Sequence, residues 1–203
     1  GMAVVRGLQG EHKDGLIICS ACLGGEIPQL IKNGKFEEAE RTIQWFQNTF
    51  GEDFYLELQL HKATKERANH EVYPLQLEVN KHLVEYSRKF GIKLVCTNDV
   101  HFVDEENAEA HDHLICLNTG KDLNDPNRML YSKQEWMKTR EEMNAMFAEY
   151  PEALSNTVEI CDKVEFYSID NAPIMPTFAI PEEFGTEDEY RKKYTHEDLF
   201  NEF

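Results

Sequence analysis

The stretch KLVCTNDVHF, residues 93–102, joins a short apolar run to an Asp-x-His motif. Its first part, KLVCTN (93–98), is rich in apolar and β-branched residues and predicts a buried β-strand. Side chains two positions apart in a strand point to the same face, so Asp99 and His101 would aim an oxygen and a nitrogen at one point if the strand ran through them. A carboxylate and an imidazole are typical ligands of zinc, manganese or iron. The motif alone is equally compatible with a polar loop that leaves the strand.

Two further apolar runs, LIICS (16–20) and FYLELQL (54–60), have the same character and also predict strands. Residues 36–50 and 70–90 carry apolar side chains at helical intervals. Gly91 follows the second of these segments, where a helix commonly ends. Strands that alternate with helices are typical of parallel α/β structure, which is the fold class that we predict.

After the Asp-x-His motif the sequence becomes mainly helical. Asp104 is a candidate N-cap for a helix that ends near Gly120, and Pro151 suits the first position of a later helix. The polar stretch KDLNDPNRML (121–130) shows no periodicity, and residues 133–138 are predicted to form a solvated face. The predicted helices lie near 25–33, 36–50, 70–90, 104–120, 139–148 and 151–164, with a last one from about 186.

The chain has 203 residues, of which 41% are hydrophobic, and a formal net charge of −17. It is long enough for a domain with a core, and it contains no run of about 18 apolar residues that could cross a membrane. The first residues lack the basic and apolar regions of a secretory signal, so we expect a cytoplasmic protein. A surface this acidic repels phosphate backbones, and we expect the chain alone to bind DNA poorly.

Five cysteines are present, and only Cys19 and Cys22 form a Cys-x-x-Cys pair. An odd number of cysteines, three of them in apolar segments, favours buried free thiols over a disulfide framework. The pair could be a redox pair or half of a zinc knuckle, but no second pair exists and Cys19 lies inside an apolar run. We therefore assign Cys19 to the core and keep Cys22 as a candidate metal ligand.

Cys22, His61 and Asp99 each follow a different predicted strand. Parallel strands place their carboxyl ends at one edge of a sheet or barrel, where such side chains can meet. The sequence therefore predicts one metal site at this edge. His111 and His113 flank Asp112 on a predicted helix; their spacing puts them on different faces, which favours packing or hydrogen bonding over a shared metal.

Several stretches resemble, in order and spacing, the polymerase and histidinol phosphatase (PHP) domain of the bacterial replicative DNA polymerase III alpha subunits. The resemblance covers roughly residues 14–190. The combination of TNDVHF with NTGKDLNDP is its most specific part. The other stretches are LIICSACLGGEIPQLI, FYLELQLH, NAEAHDHLICL and EEMNAMF followed by YPEALSNTVEIC. On these motifs the chain is identified as the C-terminal part of such a PHP domain.

The resemblance implies a partial PHP-type distorted (β/α)7 barrel, with parallel strands and helices, followed by a helical C-terminal extension. Residues 1–120 would form the C-terminal part of the barrel, and 121–167 a helical extension that packs on it. Residues 168–203 would form an extended connector toward the polymerase palm.

For the site, the resemblance implies a zinc or manganese cluster that supports phosphoester hydrolysis, proposed as a 3′–5′ exonuclease activity in some alpha subunits. Asp99 and His101 match the Asp-x-His motif of the family. Cys22 matches a position where other members carry Cys or His, and His61 is a possible match. No catalytic residue is assigned in this chain, and the magnesium-dependent polymerase site would lie beyond Phe203.

The chain departs from the family pattern because the first motif, His-x-His, and the second, with its own histidine, have no counterpart in it. It is therefore predicted to be a fragment that holds part of the ligands and is inactive alone. The expected partners are the rest of the alpha subunit and other replisome subunits. DNA would be met through the parent protein, and an exposed sheet edge favours self-association of the fragment.

Two alternatives stay open at this point. The chain could belong to a stand-alone PHP-family metallophosphoesterase, although PTFAIPEEF (176–184) resembles the connector into a polymerase region. It could also be a non-catalytic scaffold that binds other replisome subunits.

Overall fold

The computed structural model describes residues 13–174, 185–186, 188–189 and 192. The chain divides into two compact units, residues 1–164 and 165–203, and every element given below belongs to the first. The helical stretch predicted from about residue 186 lies mostly outside the described residues, as does much of the extended segment predicted for residues 168–203.

Three parallel strands form the sheet of the described part, in the order β1-β2-β3. They are β1 (Ile18–Cys19), β2 (Phe54–Leu58) and β3 (Leu94–Cys96). Ile18 pairs with Phe54, and Leu56 pairs with Leu94. All three lie inside the predicted runs but are shorter, and the parallel α/β class is confirmed.

Helices α1 (Glu26–Lys32) and α2 (Phe36–Phe50) connect β1 to β2, and α3 (Val72–Phe90) connects β2 to β3. Gly91 ends α3 with a φ of +66°, a left-handed conformation that glycine adopts at little cost, and its amide bonds the carbonyl of Ser87. The helices bury their apolar stripes against the sheet, which explains why helical periodicity located them. The core cluster includes Ile27, Ile31, Ile43, Phe54, Leu56, Leu58, Val79 and Leu83.

Three more helices follow the sheet: α4 (Ala108–Thr119), α5 (Arg140–Met146) and α6 (Pro151–Lys163). Pro151 occupies the first turn of α6 as predicted. Helix α6 packs on β3, where the Asn156 side-chain amide donates to the Leu94 carbonyl at 2.8 Å. No helix in the described ranges is long and apolar enough to cross a bilayer.

The segment between α4 and α5, residues 120–139, contains no regular helix or strand apart from an isolated parallel bridge between Phe102 and Trp136. From here on we call residues 120–139 the connector, which is distinct from the extended segment predicted for residues 168–203. The prediction that residues 133–138 form a solvated face was wrong, because Lys133 and Glu135 are 2% and 3% exposed. Long-range ion pairs, which a local sequence pattern does not encode, explain the burial of Lys133.

A buried ion cluster fixes the connector to α4. Arg128 donates two hydrogen bonds to the Asp112 carboxylate, with Nη2 at 2.9 Å from Oδ2. Lys133 Nζ lies 3.4 Å from Asp112 Oδ2 and 2.7 Å from Glu109 Oε1. Burial alone would raise the pKa of Asp112, but the hydrogen bonds from Arg128 and the charge of Lys133 outweigh it and lower that pKa.

We predict that Asp112→Asn lowers the free energy of unfolding at pH 7 by about 3 kcal/mol, since it leaves two cations buried with one partner fewer. A carboxyl with a lowered pKa stabilises the fold above its ordinary pKa of 3.8, and that contribution is lost as the pH falls through the folded-state value. The deficit of the variant should therefore shrink below about pH 4. Urea unfolding at pH 7 and pH 3 measures this.

The control is Glu37→Gln, which removes a carboxylate that is 95% exposed and pairs with Arg41 at 3.9 Å. It should leave stability nearly unchanged, because exposed ion pairs contribute little. Equal stability of Asp112→Asn and the wild type at pH 7 would contradict the role given to the cluster.

Candidate metal site

The predicted ligands gather where the carboxyl ends of the parallel strands meet the connector. A cavity of about 190 Å³ lies there, and its lining includes Cys22 after β1, His61 after β2 and Asp99 after β3. His101 does not line it. The structure therefore brings three of the four predicted residues to one cavity, as the parallel topology leads us to expect.

Cys22 and Asp99 are in hydrogen-bonding contact. Burial raises the pKa of the Cys22 thiol, and the charge of Asp99 and its hydrogen bond to the sulfur raise it further against an opposing contribution from the Gly24 amide. The sulfur is therefore a thiol at neutral pH, and a metal ion would have to displace its proton. Burial and the charge of Glu57 also raise the pKa of Cys19, to about 11. Cys19 is half-buried, so it lies at the margin of the core rather than inside it.

The geometric reason that we gave for pairing Asp99 with His101 was wrong. Strand β3 ends at Cys96, and Asp99 has a φ of +43°, so strand alternation does not apply to the motif. Instead, the His101 Nδ1 lies 2.6 Å from the Asp99 carbonyl oxygen, and the His101 amide donates to the Glu135 carbonyl at 2.7 Å. A proton on Nδ1 leaves the lone pair on Nε2, the tautomer of many metal-ligating histidines.

The exposed ring of His101 is held by two other aromatic rings. Its centroid lies 4.9 Å from that of Tyr131 and 5.6 Å from that of His111. Burial and the neighbouring His101 lower the pKa of His111. His111 thus contacts the ring of the Asp-x-His motif, and the preference for packing or hydrogen bonding over ligation stays a prediction.

His61 is 3% exposed and both of its ring nitrogens are engaged. Nδ1 lies 3.0 Å from Gln76 Nε2, and Nε2 lies 3.1 Å from the carbonyl oxygen of Asn98. Burial lowers the pKa of His61 in spite of the opposing charge of Glu135. The imidazole is therefore neutral, with Nε2 as donor and Nδ1 as acceptor, and a metal ion would replace one of these hydrogen bonds.

The donor types around the cavity, a thiol, an imidazole and carboxylates, suit zinc or manganese. They are not assembled for direct coordination, because no three His, Cys, Asp or Glu side chains within the described ranges lie close enough together to hold an ion. The residues thus fit a divalent metal in chemistry but form only part of a coordination shell.

Sequence reasoning missed Gln59, Tyr131 and Glu135, which also line the cavity. Gln59 follows β2 two residues before His61, so the period of a strand could have indicated it. Tyr131 and Glu135 belong to the connector, which has no periodicity to locate them. Glu135 Oε1 accepts hydrogen bonds from the Ser132 amide at 3.1 Å and the Ser132 hydroxyl at 2.6 Å.

Asn98 fastens the connector to the end of β3. Its Nδ2 donates to the carbonyls of Gln134 at 2.9 Å and Trp136 at 2.6 Å, and the residue is 6% exposed. Since Glu135 lies between these two carbonyls in the chain, the amide of Asn98 determines where the buried carboxylate sits.

We predict that Asn98→Asp costs about 2 kcal/mol or more of unfolding free energy, because it places an oxygen against two carbonyl oxygens and removes both hydrogen bonds. Urea unfolding followed by tryptophan fluorescence measures this loss. Asn48→Asp, the same change at an exposed position of α2, is the control and should cost little. Equal losses in the two variants would contradict the anchoring role of Asn98.

Comparisons with known proteins show which family this sequence resembles. Residues 4–61 match the family model described as PHP domain. DNA polymerase III subunit alpha of Borreliella burgdorferi is 42% identical over 191 residues, covering 93% of this chain and 16% of the relative. The corresponding subunits of Treponema pallidum and Thermus aquaticus are 34% and 38% identical, covering 97% and 91% of this chain and 16% and 15% of the relatives.

The chain thus spans about one-sixth of the length of these curated relatives. The resemblance read from the motifs is confirmed over more than nine-tenths of the chain. The chain belongs to the family of bacterial DNA polymerase III alpha subunits and represents a part of them that includes PHP-domain sequence.

Proposed function

We propose that this chain contributes the later half of the PHP domain to a replicative DNA polymerase whose parent chain carries out DNA-directed DNA synthesis. The relatives named above, all DNA polymerase III alpha subunits, support this proposal. Within that domain, Asp99, His101, Cys22 and His61 contribute ligands to a divalent metal site. We also propose that β1–β3 form part of a distorted barrel.

One observation carries the metal proposal: side chains that follow three separate parallel strands line one cavity, namely Cys22, His61 and Asp99. The carboxyl end of a parallel sheet is where α/β proteins bind their ligands. A thiolate and an imidazole favour zinc, and a carboxylate with an imidazole also suits manganese. A bound divalent metal supplies an acidic water and stabilises charge on phosphoryl oxygens, the chemistry of phosphoester hydrolysis and of a 3′–5′ exonuclease.

The residues of this chain would hold and orient the ion rather than complete the chemistry. Asp99 offers a carboxylate, His101 the lone pair on Nε2, and Cys22 a sulfur that must first lose its proton. A second metal ion about 3.5–4 Å away, as two-metal phosphoesterases need, requires ligands from outside the described residues. The magnesium-dependent polymerase site is likewise assigned to the parent protein outside this chain.

The partners in this proposal are the remaining parts of the alpha subunit and other replisome subunits. The isolated chain is also expected to self-associate. Exposed apolar side chains on α4 favour such contacts, since Leu114 and Leu117 are 56% and 77% exposed. The same exposure, with the incomplete donor set, makes a non-catalytic scaffold the second candidate function. The stand-alone phosphoesterase is the weaker alternative, because the relatives cited are polymerase subunits.

The first prediction from this proposal concerns metal content. Protein purified without chelator should contain zinc or manganese by plasma mass spectrometry, and the double variant Asp99→Ala, His101→Ala should lose it. The control double variant Asp162→Ala, His113→Ala removes the same residue types from exposed positions and should keep it. Metal-free wild-type protein, or equal metal in both double variants, would argue for the scaffold.

The second prediction concerns activity. The isolated chain should neither extend a primed template with magnesium nor degrade a 3′-labelled single strand with manganese or zinc, because it lacks the polymerase site and a complete metal pair. Gel assays over several hours, with a full-length alpha subunit as positive control, test this. Metal-dependent degradation that Asp99→Ala abolishes would favour the phosphoesterase alternative.

A further inference from the structure

Lys138 lies near the end of the connector, directly before Thr139, the N-cap residue of α5. Its Nζ donates a hydrogen bond to the Gln134 carbonyl at 2.6 Å and lies 4.1 Å from the centroid of the Trp136 ring. The side chain is half-buried, and it forms no ion pair with a carboxylate of the described residues. The amine is thus partly withdrawn from water, with a carbonyl and an aromatic ring as its neighbours instead of an anion.

Two other lysines with buried or half-buried side chains are paired with carboxylates. Lys133 Nζ lies 2.7 Å from Glu109 Oε1, and Lys163 Nζ lies 2.9 Å from Asp53 Oδ1. An opposite charge at such a distance favours the ammonium form of a lysine, whereas burial favours the neutral amine. At Lys138 burial therefore acts without a contacting anion to oppose it.

The pKa of Lys138 agrees with this geometry. Burial lowers it from 10.5 to about 8, against the opposing charges of Glu135, Glu142 and Glu105. His61, whose own pKa the charge of Lys138 lowers, is a further titratable group close enough to act on it. At pH 7.5 an amine with a pKa of about 8 is neutral in about one molecule in four, and an amine with a pKa of 10.5 in about one in a thousand.

The hydrogen bond to Gln134 leaves the lone pair of the neutral amine available. A carbonyl oxygen only accepts hydrogen bonds, so Lys138 donates one N–H to it and keeps its lone pair free. The same carbonyl accepts the side-chain amide of Asn98 at 2.9 Å, which ties the acceptor to the end of β3. A lysine amine that is both desolvated and positioned has the properties of an activated nucleophile.

We propose that Lys138 is a modification site that takes an acyl group from a small acyl phosphate. The neutral amine attacks the carbonyl carbon of the donor, a C–N bond forms, and the bond between that carbon and the phosphate oxygen breaks. Inorganic phosphate leaves, and the amine loses a proton to water. The amide product can still donate one N–H to the Gln134 carbonyl, but its charge is lost and with it the cation–π contact with Trp136.

Limited acetylation of the 203-residue chain with acetyl phosphate at pH 7.5, followed by peptide mass spectrometry, tests the proposal. Lys138 should be acetylated about 10-fold faster than Lys62, because the lower basicity of the amine offsets only part of the gain in neutral fraction. Lys62 is the matched internal control, since its Nζ also lies over an aromatic ring, 5.8 Å from the Tyr73 centroid, but its side chain is exposed. Equal rates at the two lysines would overturn the proposal.

Two variants identify the reactive amine in the intact protein. Lys138→Arg should lose the acetyl adduct that forms first, because a guanidinium stays charged at this pH and can still pack on the Trp136 ring. Lys62→Arg, the control, should keep that adduct. Persistence of the first adduct in Lys138→Arg would show that another group reacts and that the assignment is wrong.

Two measurements on the wild-type protein test whether the fold is the cause. The acetylation rate at Lys138 should rise with pH and level off above about pH 8, where the amine is mostly neutral. A rate that keeps rising tenfold per pH unit up to pH 10 would contradict the proposal. In concentrated urea the rates at Lys138 and Lys62 should agree within about twofold, because unfolding ends the burial. A preference for Lys138 that survives unfolding would assign the reactivity to local sequence and overturn the role of the site.

Discussion

The attachment of the connector to the carboxyl edge of the sheet is the constraint on which the rest of the site depends. The amide of Asn98 bridges two carbonyls on either side of Glu135, and the Glu135 carbonyl in turn accepts the amide of His101. These bonds join β3 to a segment more than 30 residues later in the chain. Without them the cavity would lose one wall, and the Asp-x-His motif would lose the partner that sets its conformation.

Two groups of buried charges lie along the connector, and they differ in how fully they are paired. Asp112 accepts hydrogen bonds from Arg128 and forms an ion pair with Lys133, which is the arrangement expected of a structural ion cluster. Glu135, two residues after Lys133, has one oxygen bonded to Ser132, and the other has no hydrogen-bond partner among the described residues. A carboxylate that is only half satisfied stabilises the fold less than the ion cluster does.

The elements that could be predicted from the sequence are those fixed by local patterns. Short runs of apolar and β-branched residues located β1–β3, and apolar side chains at helical intervals located the long helices. Gly91 and Pro151 marked helix boundaries because their backbone preferences act locally. The meeting of Cys22, His61 and Asp99 followed from parallel topology alone. The left-handed conformation of Asp99 and the burial of Lys133 and Glu135 could not be predicted, because each depends on contacts across 21 or more residues of chain or on a loop without periodicity.

The charge of the molecule bears on the metal site proposed above. A net charge of −17 repels nucleic acid, and the carboxylates of Asp99 and Glu135 add to that repulsion where the site is found. A divalent cation in the cavity would offset both carboxylates locally, so that the ion is needed for phosphate to approach as well as for any chemistry on it. In the metal site proposed above, the ion would therefore couple metal binding to the approach of phosphate through these two carboxylates.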